Sequence, residues 1–248
     1  MIQTLGVSDP EYTLSDLGEI VGGGTPSKSV SEYYCESGIP WITPKDLSDD
    51  KSKFISRGNI DITELGLNNS SAKMMPRNSI LYTSRAPIGY IAISKNDICT
   101  NQGFKSIIPK ELYYRSFIYY YLKNNFDLVN GVATGSTFLE VSGSAMKSIP
   151  VVKPSKEIAE YFESYCEPLF KKQELLEDEN RQLITLRDYL LPKLMSGEID
   201  VSNLPLPQIN NHFLEGKPSS NEFSMRVLDV SLINHSIMQG RIYPDVPQ

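Results

Sequence analysis

SKEIAEYFESYCEPLFKKQELLEDENRQLITLRDYLLPKLM, Ser155 to Met195, contains no glycine and is dense in charge. Phe162, Leu169, Leu176, Leu183 and Leu190 fall in it at strict seven-residue steps, the spacing that keeps one apolar seam turned toward a partner helix. The second set of seam positions, Ile158, Tyr165, Lys172, Glu179, Leu186 and Lys193, is half polar. Such a seam packs irregularly or selects one partner. Pro168 is expected to kink or restart this helix, and Pro192 with Gly197 to close it. About 40 residues at roughly 1.5 Å each make a rod of about 60 Å, too long and too charged to be buried in its own domain. A partner helix is therefore expected, with Phe162, Leu169, Leu176, Leu183, Leu186 and Leu190 as the helix interface.

Upstream the pattern changes. Thr13 and Asp16 have capping-box spacing, and Leu14, Leu17 and Val21 recur at helical intervals, which predicts a helix ended by Gly22-Gly23-Gly24. Short apolar runs punctuated by turn residues follow: Ile39-Pro-Trp-Ile, Ser79-Ile-Leu-Tyr, Tyr90-Ile-Ala-Ile and Ser106-Ile-Ile-Pro. These read as short strands of a mixed sheet. Glu111 to Phe126 reads as a helix with its apolar face on that sheet. The expected fold is α+β: a globular domain over 1–152 with a mixed sheet and flanking helices, a long coiled-coil helix over 153–197, and a mobile tail over 198–248.

Composition narrows the chemistry. Only two histidines occur in the 248 residues, His212 and His235, so no Ser-His-Asp or Cys-His site and no histidine base is available in the first 200. Cys35, Cys99 and Cys166 are far apart and suggest buried thiols rather than a disulfide framework or a zinc site. No apolar run approaches the ~20 residues of a membrane span, and the N-terminus lacks the basic and apolar stretches of a signal peptide, so the chain reads as cytoplasmic. The net charge of −6 disfavours phosphate binding on average. By segment, however, residues 1–150 carry 14 basic and 15 acidic side chains, whereas 151–200 carry 7 and 11. The acidity therefore sits on the helix and leaves the first domain close to neutral.

Five loops in that domain join glycine or proline to hydrogen-bonding side chains: GGGTPSK (22–28), WITPKDL (41–47), TSRAPIG (83–89), TNQGF with Lys105 (100–105) and ATGSTF (133–138). Glycines let a backbone approach phosphates, hydroxyls add contacts to them, and Arg, Lys, Asn and Gln pair with base edges. The candidate DNA-binding residues are Thr25, Ser27, Lys28, Lys45, Ser84, Arg85, Asn101, Gln102, Lys105, Ser136 and Thr137. Arg85 could read guanine or brace a phosphate, and Asn101 or Gln102 could read adenine. Each loop alone also has a plainer reading. GGGTPSK could be a helix C-cap, Lys45-Asp46 a surface ion pair, and Asn101-Gln102-Gly103 a turn satisfying its own backbone. Arg85 could stack on Tyr82 or Tyr90, or meet a buried carboxylate.

Taken in order, GGGTPS, IPWITPKDL, NSILYTSRAPIG, NQGFK and GSTF, then a heptad helix ending LRDYLLPKLMSGEI, resemble the specificity subunit of type I DNA restriction-modification enzymes over about residues 11 to 200. The resemblance implies a target recognition domain that reads one half of a split site in double-stranded DNA. It also implies a spacer helix that docks methyltransferase subunits and, through them, restriction subunits. No catalysis and no cofactor would belong to this chain; S-adenosylmethionine is expected on the partner methyltransferase. Lys51 to Arg57 and Lys123 to Val132 are expected to hold some base readers. Such subunits usually carry two recognition domains and two helices, whereas this chain has one of each. It could then be a half-subunit that pairs head to tail with a copy of itself, a separately encoded second half, or a fragment.

Two other classes compete. A coiled-coil scaffold without DNA binding accounts for the helix and leaves the loops idle. A stand-alone DNA-modifying enzyme would need an N-P-P-Y or D-P-P-Y tetrapeptide, or a metal-carboxylate cluster, and the sequence suggests neither.

Overall fold

The computed structural model describes residues 11–135 and 139–200. Ser136 and Thr137, and the tail from Val201 onward, lie outside the described residues. The chain divides into two compact units, 1–177 and 178–248.

In chain order the elements are β1 (Tyr12–Thr13), α1 (Leu14–Leu17), β2 (Gly18–Gly22), β3 (Tyr34–Cys35), β4 (Ile39–Ile42), α2 (Pro44–Asp49), β5 (Phe54–Ile55), β6 (Ile60–Ile62) and α3 (Glu64–Asn68). They continue with β7 (Ile80–Tyr82), β8 (Ile91–Ser94), β9 (Cys99–Thr100), β10 (Lys105–Pro109), α4 (Arg115–Asn124), α5 (Phe126–Gly131), α6 (Gly143–Lys147), β11 (Pro150–Val151) and α7 (Lys156–Met195). Short 3-10 turns precede β3 and α4. The class is α+β, with the four expected strands falling on β4, β7, β8 and β10.

Three sheets result: a β1–β11 pair, a five-stranded sheet in the order β2-β10-β7-β8-β5, and a four-stranded sheet in the order β3-β6-β4-β9. The two larger sheets are mixed, because β5 runs parallel to β8 and β4 parallel to β9 while their other pairs are antiparallel. Val21, Ile42, Leu47, Ile55, Met75, Leu81, Ala92, Ile98 and Phe104 form the core that unites them. Successive strand residues point to opposite faces. Ile80, Ile93 and Ile107, in register across β7, β8 and β10, therefore turn away from that core, toward the side where α4 packs on β7 and β8. There α4 buries Phe117, Ile118, Tyr121 and Leu122.

The first predicted helix is mostly a strand. Asp16 does accept the N–H of Thr13 at 2.8 Å, so the cap is real, but α1 ends after one turn at Leu17. From Gly18 the chain pairs residue for residue with β10, and Gly22 ends that strand rather than a helix. Glycine is required at position 18, where a Cβ would lie 2.3 Å from the Ile107 side chain. Leu14, Leu17 and Val21 are all buried, which is why their spacing imitates a helix face.

The first part of α7 belongs to the first unit. It buries Ala159, Phe162, Glu163, Cys166 and Phe170, a 3.6-period stripe rather than a heptad one. Phe170 meets Phe54 edge to face at 5.6 Å, and Phe162 meets Tyr120 at 6.2 Å. Arg115, 4% exposed, is ion-paired through Nη2 with Glu163 and Glu167, while its Nη1 donates to Asn78 Oδ1 at 2.9 Å. Further along α7, Glu177 accepts the backbone N–H groups of Lys53 and Phe54, each at 3.0 Å.

Neither proline interrupts α7. The helix runs unbroken past Pro168 and Pro192 to Met195, and Gly197 then takes a left-handed φ of 76°. At Pro168 the loss is confined to one N–H, which leaves the carbonyl four residues back at Ser164 without its helical donor. In the second unit the described part of α7 carries its own local pairs, such as Arg181 with Asp178 at 2.5 Å.

Candidate nucleic-acid interface

Thr25 and Lys28 from the first loop, Lys45 from the second, and Asn101 and Gln102 from the fourth line one open cleft of about 640 Å³, together with Tyr34, Trp41 and Ile60. The GGG stretch makes this convergence possible. Gly24 N–H donates to the Thr100 carbonyl at 2.8 Å, and a Cβ on Gly23 would lie 1.9 Å from the Asn101 carbonyl oxygen. The glycines thus seat one loop directly against another instead of capping a helix or cradling a phosphate.

Aromatic side chains then lock the seat. Trp41 Nε1 donates to the Gly24 carbonyl at 2.9 Å, and the Tyr34 hydroxyl to the Pro26 carbonyl at 2.6 Å. The Tyr34 and Trp41 rings meet edge to face at 5.8 Å. Across the cleft floor the Thr25 hydroxyl donates to Gln102 Oε1. Asn101 Oδ1 accepts the Gly103 N–H at 2.8 Å, the self-satisfying turn expected as the plainer reading, which leaves its NH2 group to an outside acceptor.

Lys28 and Lys45 are exposed cations at this cleft. Lys45 does not pair with Asp46. The Asp46 carboxylate is buried and taken up by the Thr43 N–H at 2.7 Å and by the backbone and side-chain amides of Asn59 at 2.9 and 2.7 Å. Ser27 is exposed, bonds Ser29 at 2.8 Å and does not line the cleft.

The TSRAPIG loop is closed on Thr83, whose hydroxyl donates to the Pro87 carbonyl at 2.7 Å and accepts the Tyr90 N–H at 2.8 Å. Gly89 has a left-handed φ of 97°, and the Ala86–Pro87 bond is cis. Ser84 is fully buried, with its N–H on the Gly103 carbonyl at 2.8 Å, so its side chain braces the loop and cannot meet a duplex. That bond ties the loop to the residue following Gln102.

Arg85 is exposed beside it and meets a carboxylate rather than a tyrosine. Its Nε lies 2.9 Å from Glu140 Oε2, while Lys105 Nζ lies 3.2 Å from Glu140 Oε1. Partial burial opposes ionisation of Glu140, but hydrogen bonds from and charges on Arg85 and Lys105 outweigh it and hold the carboxyl below its ordinary range. Reasoning from the sequence missed Glu140. The available signal was slight: it is the only acid between Asp127 and Glu157.

Of the two stretches expected to hold base readers, the first is partly taken up by packing and the second is mostly exposed, with Val129 buried. In Lys51 to Arg57, Phe54 and Ile55 are buried, and Arg57 bonds the Glu36 carbonyl at 2.9 Å and Asp61 at 2.5 Å. Lys53 lies over the rings of Phe170, Tyr119 and Tyr120 at 4.2, 5.2 and 5.3 Å, and burial lowers its pKa to about 8. Lys123 to Val132 forms the end of α4 and all of α5, with Phe126 and Leu128 exposed.

Of the expected helix-interface residues, Phe162 is 3% exposed inside the first unit. Leu169, Leu176, Leu183 and Leu186 are all exposed, and Leu190 is half-buried. Among the described residues no cluster of three or more His, Cys, Asp or Glu could hold a metal, and no helix is long and apolar enough to cross a membrane.

Residues 10–184 match the family model of the type I restriction modification DNA specificity domain. The chain belongs to this family. It is 42% identical over 173 residues to the type I restriction enzyme MjaIX specificity subunit of Methanocaldococcus jannaschii, covering 66% of this chain and 40% of that one. It is 34% identical over 192 residues to the type I restriction enzyme HindI specificity subunit of Haemophilus influenzae, covering 75% and 40%. The chain thus spans about two fifths of the length of these specificity subunits. A crystal structure of the S subunit of a type I restriction-modification system from M. genitalium shares the fold, with a TM-score of 0.52 and 17% identity over 79% of this chain and 48% of that one.

Proposed function

We propose that this specificity-domain chain reads one half of a bipartite site in double-stranded DNA in the cytoplasm and does no chemistry itself. The observation that carries the proposal is the convergence of Thr25, Lys28, Lys45, Asn101 and Gln102, from three separated loops, on one open cleft. The cleft offers donors, acceptors and two cations to a polyanion, and the glycine contacts beneath it fix their spacing. Membership of the specificity-domain family supports the same reading.

On this proposal α7 docks methyltransferase subunits and, through them, restriction subunits, with S-adenosylmethionine held by the methyltransferase. The exposed Leu169, Leu176, Leu183 and Leu186 are the apolar positions such a helix would present. On the same proposal the other half of the site is read by a second recognition domain, supplied by a copy of this chain or by a second half. Selection of duplexes from a randomised pool by the purified full chain tests the reading. It predicts enrichment of a short block of fixed bases, repeated in inverted form at a constant gap where two copies pair, and lost when Lys28 and Lys45 are both changed to Ala. A pool that stays random contradicts it.

A further inference from the structure

Arg85 and Lys105 arrive from different strands and loops, yet one carboxylate holds both: Glu140 Oε2 takes Arg85 Nε and Glu140 Oε1 takes Lys105 Nζ. Binding Arg85 through Nε fixes the plane of the guanidinium and leaves its two terminal nitrogens as a paired donor edge. The three side chains together carry one net positive charge, matching a single phosphodiester. Lysine is a point charge without a directional match to a base edge, whereas arginine and lysine side by side suit an anion with several equivalent oxygens.

The backbone around them is tied down. Glu140 exchanges both of its backbone hydrogen bonds with Thr134 at 2.9 Å, and Val141 N–H donates to the Ser84 carbonyl at 2.9 Å. Arg85 is 47% exposed and Glu140 33% at the side chain, while Lys105 is 15% exposed, so an outside ligand reaches the group chiefly through Arg85, with Lys105 behind it. An acid placed beside a DNA-binding surface repels phosphates, and a role in attraction cannot account for it.

We propose that Glu140 is a positioning residue that sets Arg85 and Lys105 around one phosphate of the DNA backbone. This rests on the proposed reading of the chain as a DNA-binding module. It adds a backbone contact that locates the base-facing cleft, to which the loop is joined through Ser84 and Gly103.

The sign of one substitution decides the matter. If Glu140 contributed charge alone, Glu140→Gln would remove a repulsion and tighten binding. If it positions the cations, the same change loosens them and weakens binding despite the gain in net charge. The test uses the full chain and mixed-sequence duplexes of stated length, with affinity measured across a salt series and thermal unfolding followed in parallel. Arg85→Ala is expected to weaken binding about tenfold and to lower the salt slope by about 0.9, equally on all sequences. Glu140→Gln should move both quantities the same way, Glu140→Asp should recover part of the loss, and unfolding should stay near wild type.

Tighter binding by Glu140→Gln with an equal or steeper slope overturns the inference, as does a loss that tracks unfolding alone. A loss confined to duplexes carrying one particular base overturns it too, because Arg85 would then be reading sequence. Salt-sensitive wild-type binding that Arg85→Ala leaves unchanged defeats the phosphate seat and spares the proposed function. Absence of any wild-type binding defeats both.

Discussion

Trp41 Nε1 donates to the carbonyl of Gly24 across 2.9 Å, and through that bond β4 holds the loop that carries Thr25 and Lys28 into the cleft. Trp41→Phe keeps most of the ring and removes the donor, stranding a buried carbonyl. The expected cost is about 1 to 3 kcal/mol in denaturant unfolding, with DNA affinity falling by more than the stability loss explains because the cleft loop is freed. Unchanged affinity would show that the loop is held by other means.

Arg115 stands between Glu163 and Glu167 on α7, and its removal leaves the Glu163 carboxylate with poor access to water. Arg115→Met should cost about 3 to 5 kcal/mol, and the double change with Glu163→Gln should cost less than Arg115→Met alone. Burial acts to raise the Glu167 pKa, but the Arg115 hydrogen bond and charge, with Lys171, lower it below 4.5. A depressed carboxylate contributes stability that is present above its unfolded pKa and lost as pH falls through the folded one. Acid unfolding below about 4.5 should therefore flatten in Glu167→Gln.

Lys53 gives a slope of the same sign in the alkaline range, there as a penalty that is relieved rather than a gain that is lost. Burial among aromatic rings lowers its pKa from 10.5 to about 8, outweighing the attraction of Glu177. Between those values the unfolded chain holds the proton and the folded chain does not, so this residue's penalty on stability fades as pH rises from about 8 toward 10.5. Lys53→Met should stabilise the protein at neutral pH, and its advantage over wild type should shrink across that window. Comparing the two proteins by urea unfolding at several pH values checks the sign, and an advantage constant with pH would contradict it.

Leu176 and Leu183 are exposed on α7, one full heptad apart. If they meet a partner helix, Leu176→Asp with Leu183→Asp should abolish association in sedimentation measurements without lowering unfolding stability, because neither side chain is buried in the chain alone. Equal association by the double variant would remove the helix from the interface.

Strands that enter the core were legible as short apolar runs, and Ile39–Ile42 and Ile80–Tyr82 emerged where expected. The region around Val21 was not, because Leu14, Leu17 and Val21 satisfy a helical spacing while belonging to a helical turn and a strand in succession. Only the pairing of Gly18–Gly22 with β10, a contact nearly ninety residues away in sequence, decides between the two. The heptad of α7 was equally visible, but a seven-residue step falls about 20° short of two turns, and the face buried in the first unit follows Ala159, Phe162, Cys166 and Phe170 instead. In the site, residue types picked out loops of which three meet at one cleft, but could not separate side chains that line the cleft from those that brace it. Ser84 braces and Gln102 lines, although both belong to polar turns that contain glycine or proline.

The central claim is that this chain supplies the sequence preference of a DNA-modifying assembly. Mapping methylated adenines across the source genome, with the gene intact and then deleted, tests it most directly. The account predicts methylation at a split sequence, two short fixed blocks with a constant gap, that disappears on deletion. Methylation unchanged at every site after deletion would contradict it.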